Sequence, residues 1–355
     1  MRGTTWIALL CLAACAGSDP NADDRNRHRD AAIDSPTEKP PDAAPPTDAP
    51  PAAPGVGPYF ATPMFFNTDV SAAPPAANSQ ALISALDAEG GWGNGDVMQI
   101  DYALDVLTAD NATPMRTFTT TSDFFTPDCD RVAMPVPPGG NLEGETGYAC
   151  TTNGDCHLLV YRTDTQDLYE MWRADMEGNS FHGGCLAVWH GTKTYTRALR
   201  GLGCTSADAA GYPISPLLFT ADEVAAGHID HAIRFILPNS RPRRGFVAPA
   251  THGTSTTGTA SAPYYGVHLR LRADYPVNAL PTEGARVVAR AMQKYGMYHA
   301  DGGEIALTAQ SDRHTVHKWA GLLDAHDLAA LKVTDFEVID HGAGTTMIDN
   351  CVRAP

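Results

Sequence analysis

The clearest hydrophobic–polar pattern lies at 158–172. Residues 158–162 (Leu-Leu-Val-Tyr-Arg) and 168–172 (Leu-Tyr-Glu-Met-Trp) are β-rich runs around a polar turn, which predicts a hairpin. Residues 186–189 predict a third strand. Residues 266–272 alternate strictly, with Val267, Leu269 and Leu271 on one face and His268, Arg270 and Arg272 on the other. Apolar runs at 231–237, 304–309 and 336–339 add strands, and the short runs between 96 and 134 read the same way. Helical periods are fewer. Thr282 caps the best of them, 283–295, where Val287, Val288, Ala291 and Met292 line one side and Gly296 ends the helix. Thr220 and Glu223 form a capping box over a short helix. Asn78 and Ser79 begin another through Leu82, Ile83 and Leu86, and 324–331 is expected to be helical too. The sum is a β-dominated α+β fold, a β-sandwich-like body with a few short helices.

Before residue 58 the pattern changes. Arg2 is followed by an apolar run at 6–12, too short to span a bilayer as a permanent helix. Two alanines then precede Cys15. This segment resembles a bacterial lipoprotein signal, which implies a signal peptide at 1–14, cleavage before Cys15 and a lipid on that sulfur. Residues 15–57 are rich in Pro, Ala and Asp, too poor in apolar surface to offset ordering entropy, and are expected to form a disordered tether. Residues 58–355 then form a single extracytoplasmic globular domain. The expected address is outside the cytoplasm, lipid-anchored, at the outer membrane or cell surface, with the membrane as a partner through the lipid.

Composition sharpens this picture in two respects. The formal net charge of −16 repels phosphate backbones, which argues against a nucleic acid partner. After Cys11 and Cys15, six cysteines remain: Cys129, Cys150, Cys156, Cys185, Cys204 and Cys351. An even number in an oxidising compartment reads as disulfides. Proximity favours Cys185 with Cys204, and Cys150 with Cys129 or Cys156, leaving Cys351 to staple the C-terminus to the body. No C-x-x-C pair is present to suggest zinc, so no metal and no cofactor are expected.

Several segments occur together in a way that resembles a known family. They include Phe66-Asn67-Thr68-Asp69-Val70-Ser71, Thr205-Ser206-Ala207-Asp208-Ala209-Ala210-Gly211, Asp222-Glu223-Val224-Ala225-Ala226-Gly227 running into His231, Pro249-Ala250-Thr251-His252, and Lys294-Tyr295-Gly296-Met297 with Ala300-Asp301-Gly302-Gly303. From about residue 60 onward the chain resembles a family of secreted actinobacterial and myxobacterial proteins. The resemblance implies one contiguous extracytoplasmic domain, a type sometimes fused to carbohydrate-associated modules. It brings no catalytic assignment.

Candidate chemistry rests on residue type and placement. Asp208, Glu223 and Asp301 stand beside helix starts or glycine turns, and paired carboxylates serve glycoside hydrolysis. Capping accounts for Glu223 equally well, and turn roles account for Asp208 and Asp301. His231 and His252 are the supporting histidines. With Arg234 and Tyr295 as substrate-binding groups they would instead suit proton abstraction from an acidic sugar, as in a polysaccharide lyase, with Arg234 neutralising the sugar carboxylate. His314 and His317, at helical spacing beside Asp312, have the residue types of a metal site but lack the glutamate of a zinc-protease helix. Trp92, Trp172, Trp189 and Trp319 are either sugar-stacking platforms or core. The leading expectation is a surface-tethered glycan hydrolase acting on extracellular or envelope polysaccharide. The alternative is a non-catalytic carbohydrate- or envelope-binding lipoprotein.

Overall fold

A computed structural model describes residues 59–152, 154–348 and 350–354. The expected signal, the tether and Cys15 lie outside the described residues. Two sheets organise the fold, which is α+β and rich in β structure. Ten strands build them: β1 (Ile100–Leu104), β2 (Val106–Ala109), β3 (Leu158–Arg162), β4 (Asp167–Trp172), β5 (Cys185–His190), β6 (Ile233–Leu237), β7 (His268–Leu271), β8 (Met297–Gly302), β9 (Leu307–Gln310) and β10 (Phe336–Ile339).

The larger sheet has the order β1-β9-β6-β8-β7-β10. It is mixed: β1/β9 and β6/β8 are parallel, while β6/β9, β7/β8 and β7/β10 are antiparallel. One face carries Ile233, Phe235, Leu237, Leu269, Leu271, Phe336 and Val338 at alternate positions, as strand geometry requires. Against it pack α1 (Ser79–Ala88) through Ile83 and Leu86, α2 (Ala221–Ala226) through Val224, and α3 (Glu283–Lys294) through Val287, Val288, Ala291 and Met292. Each such buried Ile, Leu, Val or Met side chain contributes roughly 1.5–3 kcal/mol over leaving it in water. The helix caps form as expected: Thr220 Oγ1 accepts from Glu223 N–H, Thr282 Oγ1 accepts from Ala285 N–H, and left-handed Gly227 closes α2.

The opposite face of this sheet is polar by sequence yet is also covered. Arg234, His268 and Arg270 are all buried. Rings from loops complete the cover, Phe65 at 4.9 Å and Tyr212 at 5.8 Å from Tyr298. Alternation within β7 therefore marks two buried faces rather than a core face and a wet one, and Arg272, just past the strand, is exposed.

The smaller sheet has the order β2-β3-β4-β5. Its β3/β4 hairpin is the one the sequence predicts, with Leu158 opposite Met171 and Arg162 opposite Asp167. Only Asp105 separates β1 of one sheet from β2 of the other. Asp105 is buried and accepts from Asn141 and from Arg313 Nη1, the latter at 3.2 Å.

Two expectations are corrected. Residues 324–331 form turns, not a helix. There the backbone closes successive i to i+3 turns, with Asp327 N–H donating to Asp324 O at 3.2 Å, Ala329 N–H to His326 O at 2.9 Å and Leu331 N–H to Leu328 O at 2.9 Å, and Asp327 Oδ2 is tied to Thr282 Oγ1 at 2.8 Å. The disulfides pair Cys129–Cys185, Cys150–Cys156 and Cys204–Cys351. Cys185 is not joined to Cys204. The segment around Cys129 runs along β5, with Asp130 N–H donating to Leu186 O at 2.7 Å, and this sets Cys129 against Cys185. Cys351 does staple the C-terminus, through Cys204. These three bridges fit an extracytoplasmic protein. No helix among the described residues is long and apolar enough to cross a membrane.

Candidate functional site

The polar face of the larger sheet supplies the centre. Arg234 on β6 forks onto Asp208, Nε donating to Oδ2 at 3.1 Å and Nη2 to Oδ1 at 2.8 Å. Its Nη1 donates to Thr308 Oγ1 on β9 at 2.9 Å. Asp208 is held in place by its own loop: Ser206 Oγ accepts from Asp208 N–H at 3.0 Å and donates to Tyr212 O at 2.6 Å. Asp301, on β8, reaches the same guanidinium, Oδ2 lying 3.6 Å from Arg234 Nη2. A register shift between β6 and β8 at Phe235/Ile236 breaks the alternation beside this contact.

Asp208 and Asp301 differ in what they can do. Asp208 is fully buried and both its oxygens are bound by Arg234. Asp301 keeps a fifth of its side chain exposed. Burial, then the neighbouring Asp208 charge, push the Asp301 carboxyl well above the usual range, against the pull of Arg234. Of the two crowded carboxylates, Asp301 is the one that tends to hold its proton.

His252 joins through Ala209. Ala209 N–H donates to Asp301 Oδ2 at 3.3 Å, and Ala209 O accepts from His252 Nδ1 at 3.0 Å. Burial pulls the His252 imidazole below its ordinary value. A neutral ring donating from Nδ1 carries its lone pair on Nε2.

A second charged pair adjoins the loop. His157 Nδ1 lies 2.7 Å from Glu143 Oε2, and its Nε2 lies 3.1 Å from Ala207 O. Both ring nitrogens face acceptors, so both donate and the ring is an imidazolium. Burial alone would lower the His157 pKa, but the Glu143 charge and hydrogen bond outweigh it and hold it at about 9. Burial would raise Glu143, but His157 wins and sets it at about 2.

The expected acid set does not assemble as one constellation. Asp208, Arg234, Asp301 and His252 come together. Glu223 and His231 form a separate pair, Oε1 to Nε2 at 3.2 Å. The other Glu223 oxygen accepts from Thr220 N–H and Oγ1 at 2.9 and 2.8 Å, and His231 Nδ1 donates to Ala232 O at 2.8 Å. Capping and ion pairing occupy both groups. Tyr295 closes α3, its hydroxyl 3.5 Å from Asp230 Oδ1, with no hydrogen bond to Arg234.

His314 and His317 are not on one helical face. A single turn at Asp312–His314 ends before His317, which bonds Asp222 Oδ1 at 2.8 Å. Glu145, Cys150 and Cys156 cluster closely, but both cysteines are oxidised and Glu145 accepts from Thr151 and Thr152. Trp92, Trp189 and Trp319 are core, whereas Trp172 is half-buried and donates to Asp155 Oδ1 at 2.9 Å.

Sequence reasoning missed Glu143, His157, Thr308 and the backbone of Ala209. Glu143 sits in a turn-rich stretch and His157 just precedes β3, so no local period marks either. No family model, curated protein or solved structure matches the chain.

Proposed function

We propose that this is a lipid-tethered extracytoplasmic enzyme performing acid–base chemistry on an extracellular or envelope glycan. Asp301 is the proton donor and His252 the base. The observation that carries this reading is the shared residue Ala209, whose N–H binds a carboxyl of raised pKa and whose carbonyl, in the next peptide, binds a neutral imidazole. A proton donor and an acceptor held by one residue suit glycosidic cleavage, by hydrolysis or by elimination. Arg234, Asp208 and Thr308 position Asp301 rather than touch substrate, since Asp208 is fully buried and Arg234 nearly so. The resemblance of residues 1–15 to a lipoprotein signal supports the anchor, and the resemblance to secreted bacterial proteins supports the compartment.

The test is turnover on a panel of bacterial and plant polysaccharides. Asp301→Asn and His252→Ala should each lower kcat/KM by about 10²-fold or more, with circular dichroism unchanged. Activity should fall on the acid side as His252 protonates and on the alkaline side as Asp301 ionises. Unchanged turnover in both variants would remove the assignment. A second reading, a non-catalytic glycan-binding lipoprotein, is favoured by half-buried Trp172 beside Asp155. Glycan binding without turnover, lost in Trp172→Ala but kept in Asp301→Asn, would select it.

A further inference from the structure

A cavity of about 380 Å³ opens between β5 and the C-terminal strap, and it shares no residue with the Asp301 site. The strap is fastened twice. Gly201 and Leu202 pair antiparallel with Arg353 and Val352, and Cys204–Cys351 locks the crossing. Ala354 N–H also donates to Arg200 O at 2.8 Å. The fastening carries Arg353 to the cavity wall beside Arg200.

The wall is cationic in a protein of net charge −16. Arg200, Arg353 and Lys193 line it against one carboxylate, Asp130. Asp130 Oδ2 accepts from Arg200 Nη2 at 2.7 Å and from Val188 N–H at 2.8 Å, and Oδ1 accepts from Arg353 Nη2 at 2.6 Å. One anion therefore serves two guanidiniums. Arg200 is nine-tenths buried or more, and its Nε has no hydrogen-bond partner. Burial disfavours its charge, Asp130 offsets part of that, and Arg353 adds to the penalty. A second anion would relieve this excess. The rest of the lining is the wrong surface for a bare ion: Tyr169, Tyr195 and Val188 offer aromatic and aliphatic faces. The volume lies in the range that holds a small organic ligand.

We propose that this cavity binds a small anion carried on a ring, of the uronic acid class, with its carboxylate at the Arg200–Arg353 pair and its ring against Tyr169 and Tyr195. The site is separate from the Asp301 centre and does not depend on the proposed catalysis.

Calorimetric titration of the whole oxidised chain tests it, using glucuronate, its neutral counterpart glucose, and inorganic phosphate. Glucuronate should saturate, glucose should not, and phosphate should bind at least about tenfold more weakly for lack of ring contacts. Arg353→Gln should weaken glucuronate about tenfold or more, and Lys193→Gln, which leaves the strap untouched, should weaken it severalfold and reduce the salt dependence. Asp301→Asn should keep the affinity, so loss of the catalytic reading and loss of this site give different results. Trp189, whose ring lies 5.2 Å from Tyr195 and 5.7 Å from the Arg200 guanidinium, supplies an independent fluorescence signal. Equal binding of glucose, equal binding of phosphate, no saturation by glucuronate, or unchanged affinity in both cation variants would each overturn the proposal.

Discussion

Replacing His157 by Gln should erase a pH-dependent share of the stability. In the folded chain the imidazole sits at about 9 against an ordinary 6.5, and Glu143 at about 2 against 4.5. For the histidine, whose pKa is raised, the contribution is complete below about 6.5 and is lost as pH rises through about 9. For the glutamate, whose pKa is lowered, it is complete above about 4.5 and is lost as pH falls toward about 2. The pair therefore stabilises most between roughly pH 4.5 and 6.5. Each displacement spans about 2.5 pH units, equivalent to roughly 3 kcal/mol, and because both describe one interaction they are not added. Removing one partner from a buried pair costs a similar amount, about 3–5 kcal/mol. Urea unfolding of the disulfide-intact chain at pH 5.5 and pH 9.5 measures this. His157→Gln should be about 3 kcal/mol less stable than the parent at the lower pH, with the gap closing at the higher. Because Asp301 and Glu170 also have raised pKa values, only the difference between the two proteins is diagnostic. A gap of the same size at both pH values would refute the charged-pair reasoning.

Other substitutions probe different parts of the fold. Arg234→Met strands Asp208 as a fully buried carboxylate and should cost about 3–5 kcal/mol, read as a lower urea midpoint, with Arg234→Met/Asp208→Leu recovering much of it. Gly296→Ala should destabilise by more than about 1 kcal/mol: φ is +73° there, and the added Cβ would meet His268 Nε2 and Leu269 O, the latter at 2.6 Å. Cys204→Ser/Cys351→Ser opens a loop of 147 residues and should lower stability by about 5 kcal/mol on the chain-entropy account, measurable by the same unfolding assay.

Much of the fold was legible because local periods survive in it. The β3/β4 hairpin and β5 follow from runs whose neighbours in sequence are also neighbours in space, and β10 and α3 from a period contained within one run. What failed were inferences that depend on distant segments. Residues 324–331 read as a helix, yet Asp327 is tied to Thr282, 45 positions away, and the backbone closes i to i+3 turns instead. Cys185 lies closer in sequence to Cys204 than to Cys129, but the pairing of the 129–130 segment with β5 decides its partner. At the candidate site Asp208, Arg234, Asp301 and His252 were recognisable by type, and their convergence is set by the β6/β8 register and the 205–212 loop. His157 and Glu143 had no such signature, because an ion pair across fourteen positions leaves no period.

The single-residue step at Asp105 has a consequence for how the molecule matures. The edge strand β1 finds its parallel partner β9 some two hundred positions later, while β2, one residue on, finds β3 far sooner. The larger sheet is cut from two separated stretches of chain, β1 and then β6 to β10, so it cannot be expressed alone by simple truncation, whereas the smaller sheet is one continuous stretch. The β2–β5 layer can zip up as it emerges, but its neighbour must wait for nearly the whole polypeptide, the pattern that slows assembly in proteins of high contact order. A chain halted before residue 307 would carry β1 as an unpaired edge, ready to be recognised by quality-control proteases.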